Sequence, residues 1–189
     1  KTYDSHKKEN GFLIELEKDG RFTTSYLTCT FPGAFKGYHL HRERTANYVC
    51  IKGKIKIILY SVRGKEEHVL SADNPRKLHI PVNVATGLLN DGSEEAWIVN
   101  FPDPAYDPNL KFEQIDFTQA ECEVGLIPSL KERIKNKLDQ WFDNHNNKKL
   151  SQEISCLESL LFNLVMERSW CNFKQHITDN ISSIKNLFK

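Results

Sequence analysis

Two histidines one residue apart, His39 and His41, are the side chains of this chain best suited to chemistry. Successive side chains on a β-strand alternate faces, so such a pair presents both imidazoles to one side. Imidazole gives and takes protons near neutral pH, which suits it to removing a proton beside a carbonyl group, and it also binds transition metals. The segment from Gly33 to Gly53 carries the pair into an alternating run through Tyr48, Cys50, Lys52 and Lys54 to Ile55, Ile57, Leu59 and Tyr60. Alternation of this kind is how strand pairs read when a small barrel closes around a polar pocket, so the pair is expected to point into a cavity. A competing reading puts both histidines on a solvated strand face beside neighbouring carboxylates. Two imidazoles alone seldom hold a metal, and a complete shell would need Glu43, His79 or another residue.

The elements that must position these residues fall into two stretches. With 189 residues the chain suits one barrel, over 1–126, and a smaller helical segment, over 127–189. From Pro128 the period changes from two to 3.6. Ser129 is expected to cap a first helix carrying Leu130, Ile134, Leu138, Trp141 and Phe142, ended by the polar run 143–149. Ser151 is expected to cap a second, with Ile154, Leu157, Leu160, Leu161, Leu164 and Val165 on one face. A third, from about Asn172, carries Phe173, Ile177, Ile181, Ile184 and Phe188. Each stripe needs the others or the barrel to bury it. His145 and His176 read as solvated or packing residues.

Composition narrows the partners. The formal net charge is +1, with basic and acidic residues interleaved, so no nucleic-acid role is expected. Five cysteines without a C-x-x-C spacing read as reduced, buried thiols in a cytoplasmic protein. No apolar run approaches a membrane span, no signal-peptide pattern opens the chain, and no membrane partner is expected. The first residue is Lys1, so the chain reads as a trimmed piece of something longer.

Gly33, His39, His41 and Gly53 stand at spacings that resemble the first signature of the cupin superfamily, G-x5-H-x-H-x3,4-E-x6-G, in which two His and a Glu bind a metal inside a β-barrel. Ala46 takes the place of the Glu. Residues 81–90, PVNVATGLLN, resemble the second signature, P-x-G-x2-H-x3-N, with Pro81 and Asn90 in place, Asn83 at the glycine and Thr86 at the ligand His. With one ligand replaced by Ala46, which has no donor atom, and another by Thr86, whose neutral hydroxyl is a poor ligand, no metal and no other cofactor is expected.

Within the cupins, residues 9–117 resemble the dTDP-4-dehydrorhamnose 3,5-epimerases and related sugar-nucleotide ketoisomerases. NGFLIE at 10–15 is similar to their R-G-x-x-x-E, KGYH at 36–39 to R-G-L-H, and ILYSVR at 58–63 to a strand ending in Arg. LHIPVNVATG at 78–87 is similar to L-W-I-P-x-G-F-A-H-G, and YDP at 106–108 to Y-x-P. HLHR at 39–42 also looks like the H-A-H-R of the sugar 3,4-ketoisomerases.

The resemblance implies a mainly β fold, a cupin-type double-stranded β-helix or jelly-roll barrel, here followed by the C-terminal α-helical segment. It implies an isomerase that removes a proton next to the 4-keto group of a nucleotide-linked deoxysugar. His39 would be the base, His41 its partner or a second proton carrier, and Tyr38, Tyr48 or Tyr106 the replacement acid. Glu15, Lys36, Tyr38, Arg42, Asn47, Arg63, Thr86 and Asn100 would bind substrate. It also implies a homodimer, while the helical segment is a candidate for docking a protein partner. Several positions depart from the pattern. Asn47 replaces the Lys that stabilises the enolate, Asn100 the Tyr acid, Thr86 a His and Asn10 the phosphate-gripping Arg. Lys36 in place of Arg keeps charge without the bidentate fork. The I-L-S-x-K-D segment that supplies the base with its partner Asp is not found. Two alternatives follow, a sugar-nucleotide binding or scaffold protein without turnover and a metal-dependent cupin.

Overall fold

The structure is a computed structural model that describes residues 2–3, 9–11, 24–143 and 147–187. Nine strands build two antiparallel sheets. They are β3 (Tyr26–Thr30), β4 (Phe35–His41), β5 (Ala46–Lys52), β6 (Lys54–Ser61), β7 (Gly64–Ser71), β8 (Lys77–Ile80), β9 (Ala85–Leu89), β10 (Ala96–Asn100) and β11 (Gln114–Asp116); a separate pair, β1 (Thr2–Tyr3) and β2 (Glu9–Gly11), precedes them. One sheet has the order β3-β10-β5-β8 and the other β11-β4-β9-β6-β7. This is the jelly-roll barrel that the resemblance implies.

The alternation read in the sequence sorts side chains between two cores. Ile55, Ile57 and Leu59 of β6 face inward with Ala46, Cys50, Leu70, Ile80, Ala96 and Ile98, filling the space between the sheets. Ile58 and Tyr60 of the same strand face outward, as do Tyr38, Leu40 and Ala85. This outer face is covered by helices. Leu126, Leu130 and Ile134 come from one helix and Leu157, Leu160 and Leu164 from another, and all six are buried against the sheet.

The signature residues hold this barrel together. The fully buried Asn90 donates from Nδ2 to the carbonyls of Thr30 and Glu94, and its own carbonyl accepts from Gly33 N–H. Gly53, in the turn joining β5 to β6, has φ +66°, and a Cβ there would stand 2.5 Å from the carbonyl oxygen of Glu95. Asn90 and Gly53, two signature positions that bind no metal, thus serve the architecture.

Three helices follow: α1 (Gln119–Val124), α2 (Leu126–Asp143) and α3 (Lys148–Leu187). Thr118 caps α1 in a reciprocal capping box with Glu121. α2 starts before Ser129, whose hydroxyl donates to the carbonyl of Glu121 instead of capping. Pro128 is tolerated in its first turn, where an amide hydrogen has no intrahelical partner. Asn147 caps α3 through Leu150 N–H, four residues before the expected Ser151. The expected second and third helices are one continuous helix of 40 residues, since no Gly or Pro interrupts it and helix formers such as Met166, Glu167 and Arg168 bridge the two stripes. Ile177, Ile181, Ile184, Phe188 and the two tail histidines lie outside the described side chains. Among the described residues, no helix is long and apolar enough to cross a membrane.

Leu160 is fully buried between α3 and the sheet, whereas Phe162, one turn-half away, is 65% exposed. Leu160→Ala is expected to cost about 2–5 kcal/mol in urea unfolding, and Phe162→Ala to stay within about 0.5 kcal/mol of the parent. Equal effects would refute the assignment of faces on α3.

Candidate functional site

Strand β4 sets the site. Leu40 and Tyr38 face the helices, so His39 and His41 share the opposite, inward face, where His41 is half-buried while the His39 side chain is 46% exposed and that of its partner Asp116 68%. Thr86 on β9 stands directly opposite His39, and Leu59 on β6 opposite Thr86. On the other side β11 places Asp116 opposite His39 and Gln114 opposite His41. Flanking this register, Tyr38 and Phe117 exchange both backbone hydrogen bonds. The Asp116–His39 pair is therefore the non-hydrogen-bonded kind, in which side chains approach most closely.

The His39 Nδ1 to Asp116 Oδ1 distance is 2.6 Å. Gln114 Nε2 lies 3.1 Å from the same nitrogen, but an ionised carboxylate only accepts, so Nδ1 turns a hydrogen to Asp116, and in the neutral imidazole Nε2 then holds the lone pair. Gln114 Nε2 donates to the same Asp116 oxygen at 2.8 Å. Partial burial pushes the Asp116 carboxyl upward, but the hydrogen bonds from His39 and Gln114 outweigh it and hold it below the usual carboxylate value. The result is an oriented imidazole with a basic nitrogen free to act, the arrangement a general base needs.

His41 has a different surrounding. Its Nδ1 lies 3.1 Å from Glu113 Oε2 and 3.2 Å from Arg44 Nη2, so that nitrogen either donates to the carboxylate or accepts from the guanidinium. Arg44 Nε also lies 3.4 Å from Glu113 Oε1 and its guanidinium sits 5.1 Å from the ring centre of Tyr106. Burial foremost, then Arg44, pushes the His41 imidazole below its ordinary value, with Glu113 opposing. Neutral at pH 7, it can pass a proton without first losing one. Tyr48 faces the interior with Cys50, and burial raises its phenol, opposed by Arg44.

The remaining expected residues divide. Thr86 joins the two histidines, Tyr106 is more than half exposed and meets Arg44 instead of either imidazole, and Lys36 is exposed opposite Leu88 on the interior face. Tyr38 does not join them: alternation turns it to the helix side, edge-on to Tyr60 at 5.3 Å, where burial pushes its phenol up to about 12. Arg42 is turned the same way and donates to Cys156 Sγ and Ser159 Oγ of α3. Asn47 lies opposite in face to Ala46 and Tyr48, and its Nδ2 is taken by the carbonyl of Phe101. Asn100 accepts from Asn47 N–H through Oδ1. Arg63 stands two strands from His39, at the rim of a cleft of about 230 Å³ that Leu59, Leu78, Val84 and Glu167 also line. Glu15 lies outside the described residues. Asp116, Gln114, Glu113 and Arg44 were not foreseen. The short alternation from Gln114 to Phe117 is their one local signal. Among the described residues, no three His, Cys, Asp or Glu side chains are grouped so as to hold a metal ion.

The sequence profile of the polysaccharide biosynthesis C-terminal domain family matches residues 6–111. The chain is similar to the spore coat polysaccharide biosynthesis protein SpsL of Bacillus subtilis, at 26% identity over 116 residues, 55% of this chain and 77% of that protein. It is similar to the probable low-salt glycan biosynthesis epimerase Agl13 of Haloferax volcanii, at 29% identity over 91 residues, 44% of this chain and 58% of that protein. The chain thus spans little more than half the length of the second relative. Among solved structures, a dTDP-4-dehydrorhamnose 3,5-epimerase from Sulfolobus tokodaii superposes with TM-score 0.51 and 19% identity, covering 63% of this chain and 73% of that one. That likeness shows a shared cupin fold.

His41 gives a pH test. Its value is lowered from 6.5 on folding, so the unfolded chain protonates first and native stability falls as pH drops below 6.5, down to the folded value. The gap in urea midpoint between the parent and His41→Asn is expected to be constant above about pH 7 and to shrink below 6.5. A gap independent of pH would contradict the buried, neutral imidazole.

Proposed function

The chain belongs to the polysaccharide biosynthesis C-terminal domain family, and from that premise we propose that it isomerises a nucleotide-linked 4-keto sugar by proton abstraction at His39. The observation that carries this reading is the 2.6 Å contact between His39 Nδ1 and Asp116 Oδ1 on the interior face of a cupin barrel. A 4-keto group acidifies the hydrogens on its neighbouring carbons. His39 Nε2 takes one of them, the C–H electron pair moves into an enolate, and Asp116 stabilises the imidazolium that results. The proton then returns to carbon from the His39 imidazolium; for delivery on another face, His41 first takes a proton from solvent and passes it to carbon, while the His39 imidazolium gives its proton to solvent.

Charge on the enolate oxygen is the harder requirement. Asn47, at the position of the epimerase Lys, is turned out of the interior and occupied by a backbone carbonyl. Beside His41 stands Arg44, held by Glu113, and Arg44 acts in turn on the inward phenol of Tyr48. This feature favours a second reading, in which the pocket binds a sugar nucleotide without turning it over.

Deuterium wash-in separates the two. The protein is incubated in heavy water with a panel of nucleotide-linked 4-keto sugars, and label at C3 and C5 is followed by mass spectrometry and NMR. Incorporation is expected, reduced on the order of 10²–10⁴-fold by His39→Ala. Label at one carbon with movement of the carbonyl indicates ketoisomerisation, and inverted configuration indicates epimerisation. No incorporation into a sugar that demonstrably binds would sink the catalytic reading and leave the binding one.

A further inference from the structure

The helical segment reaches the His39–Asp116 pair through one side chain, Arg133 of α2. Its Nε and Nη2 grip the two carboxylate oxygens of Glu121, both at 2.6 Å. The same Nη2 donates to the backbone carbonyl of Asp116 at 2.8 Å, and the guanidinium lies 4.6 Å from the ring centre of Phe117. One planar cation therefore touches the residue that orients His39, the residue after it and the N3 carboxylate of α1.

Strand β11 needs such a clamp. It has three residues and, among the described residues, pairs with β4 alone, at the edge of its sheet. Asp116 is its last residue, and as a non-hydrogen-bonded partner of His39 it aims its carbonyl away from β4, toward the free edge. Among the described residues no strand receives that carbonyl, and Arg133 does. Short edge strands with solvated ends open readily, and a shift of the Asp116 backbone would carry its carboxylate away from Nδ1. Glu121 makes the clamp rigid. Arg133 foremost, with Thr118, holds its carboxyl down at about 2 against a usual 4.5, so the fork stays ionised through neutral pH.

We infer that Arg133 is a positioning residue for the His39–Asp116 pair, so that the helical segment sets the tautomer of the base. This rests on the reading of His39 as the base. The profile match of the family ends at residue 111, before either Asp116 or Arg133. A lysine could supply the charge but not the fork that spans Glu121 and the Asp116 carbonyl together.

The test is the tautomer of His39, read from long-range proton–nitrogen correlations in 15N-histidine-labelled protein, with thermal melting measured beside it. Free imidazole favours the Nε2–H form, so an Nδ1–H form in the parent reports the Asp116 contact. Arg133→Met is expected to shift His39 to the tautomer mixture seen in Asp116→Ala, with Arg133→Lys between the two and the parent. In the wash-in assay, Arg133→Met is expected to lower kcat on the order of 10²-fold with KM unchanged. A variant that melts lower while His39 stays in the Nδ1–H form would overturn the proposal. If Arg133→Met does not fold, Arg133→Lys and Glu121→Gln decide by the same readout: a mixed tautomer supports it and the parent tautomer overturns it. A tautomer that responds as expected in a protein without wash-in would overturn the proton-abstraction reading and leave the positioning role standing.

Discussion

Everything at this site depends on the period-two alternation of β4, which makes one strand serve two environments. His39 and His41 go to the barrel interior because Tyr38, Leu40 and Arg42 go to the helices. A slip of one residue would exchange the two sets, putting imidazoles into the helix-side core and a large phenol on the inward face. The register is held from both sides. Gly37 allows β4 to approach β9 so closely that a Cβ there would stand 2.6 Å from the carbonyl of Thr86, and the helices bury Leu40 completely.

The helical segment is thus bound up with the strands that carry the His39–Asp116 pair. Helix α3 receives Arg42 from β4, and α2 receives the end of β11 through Arg133. Both strands that carry the His39–Asp116 pair are tied to helices, β4 on the face opposite the histidines and β11 at the sheet edge. An isolated barrel would expose the apolar outer face that Leu130, Leu157, Leu160 and Leu164 cover, and it would leave β11 with one neighbour and an unsupported end.

Much of this was legible in the residues themselves. The His-x-His pair, the glycines of the first signature and Asn90 carried the barrel, because a strand's face and a turn's backbone are local properties that local sequence encodes. Tyr38 and Arg42 were misplaced by resemblance where alternation alone would have placed them: both are an odd number of positions from His39. Asn47 fails for the same reason, since it differs in parity from the inward Ala46 and Tyr48. Asp116 was missed on other grounds. It meets His39 across 77 positions of sequence, through the pairing of a three-residue strand with no long hydrophobic run to announce it. Arg133 is further still from detection, because a helical arginine twelve residues from an N-terminal carboxylate carries no periodic signal. Thr118 and Glu121, by contrast, spell a capping box in plain sequence.

The central claim is that a nucleotide-linked sugar sits against the interior face of β4, β9 and β11. Isotopically labelled protein titrated with a dTDP-linked 4-keto sugar tests it most directly. The largest saturable shifts should fall on His39, Gln114, Asp116 and Thr86, with His39 Nε2 moving more than Nδ1, which Asp116 already holds. Shifts confined to α3 or to the outer face of the barrel, with His39 unmoved at saturation, would contradict it.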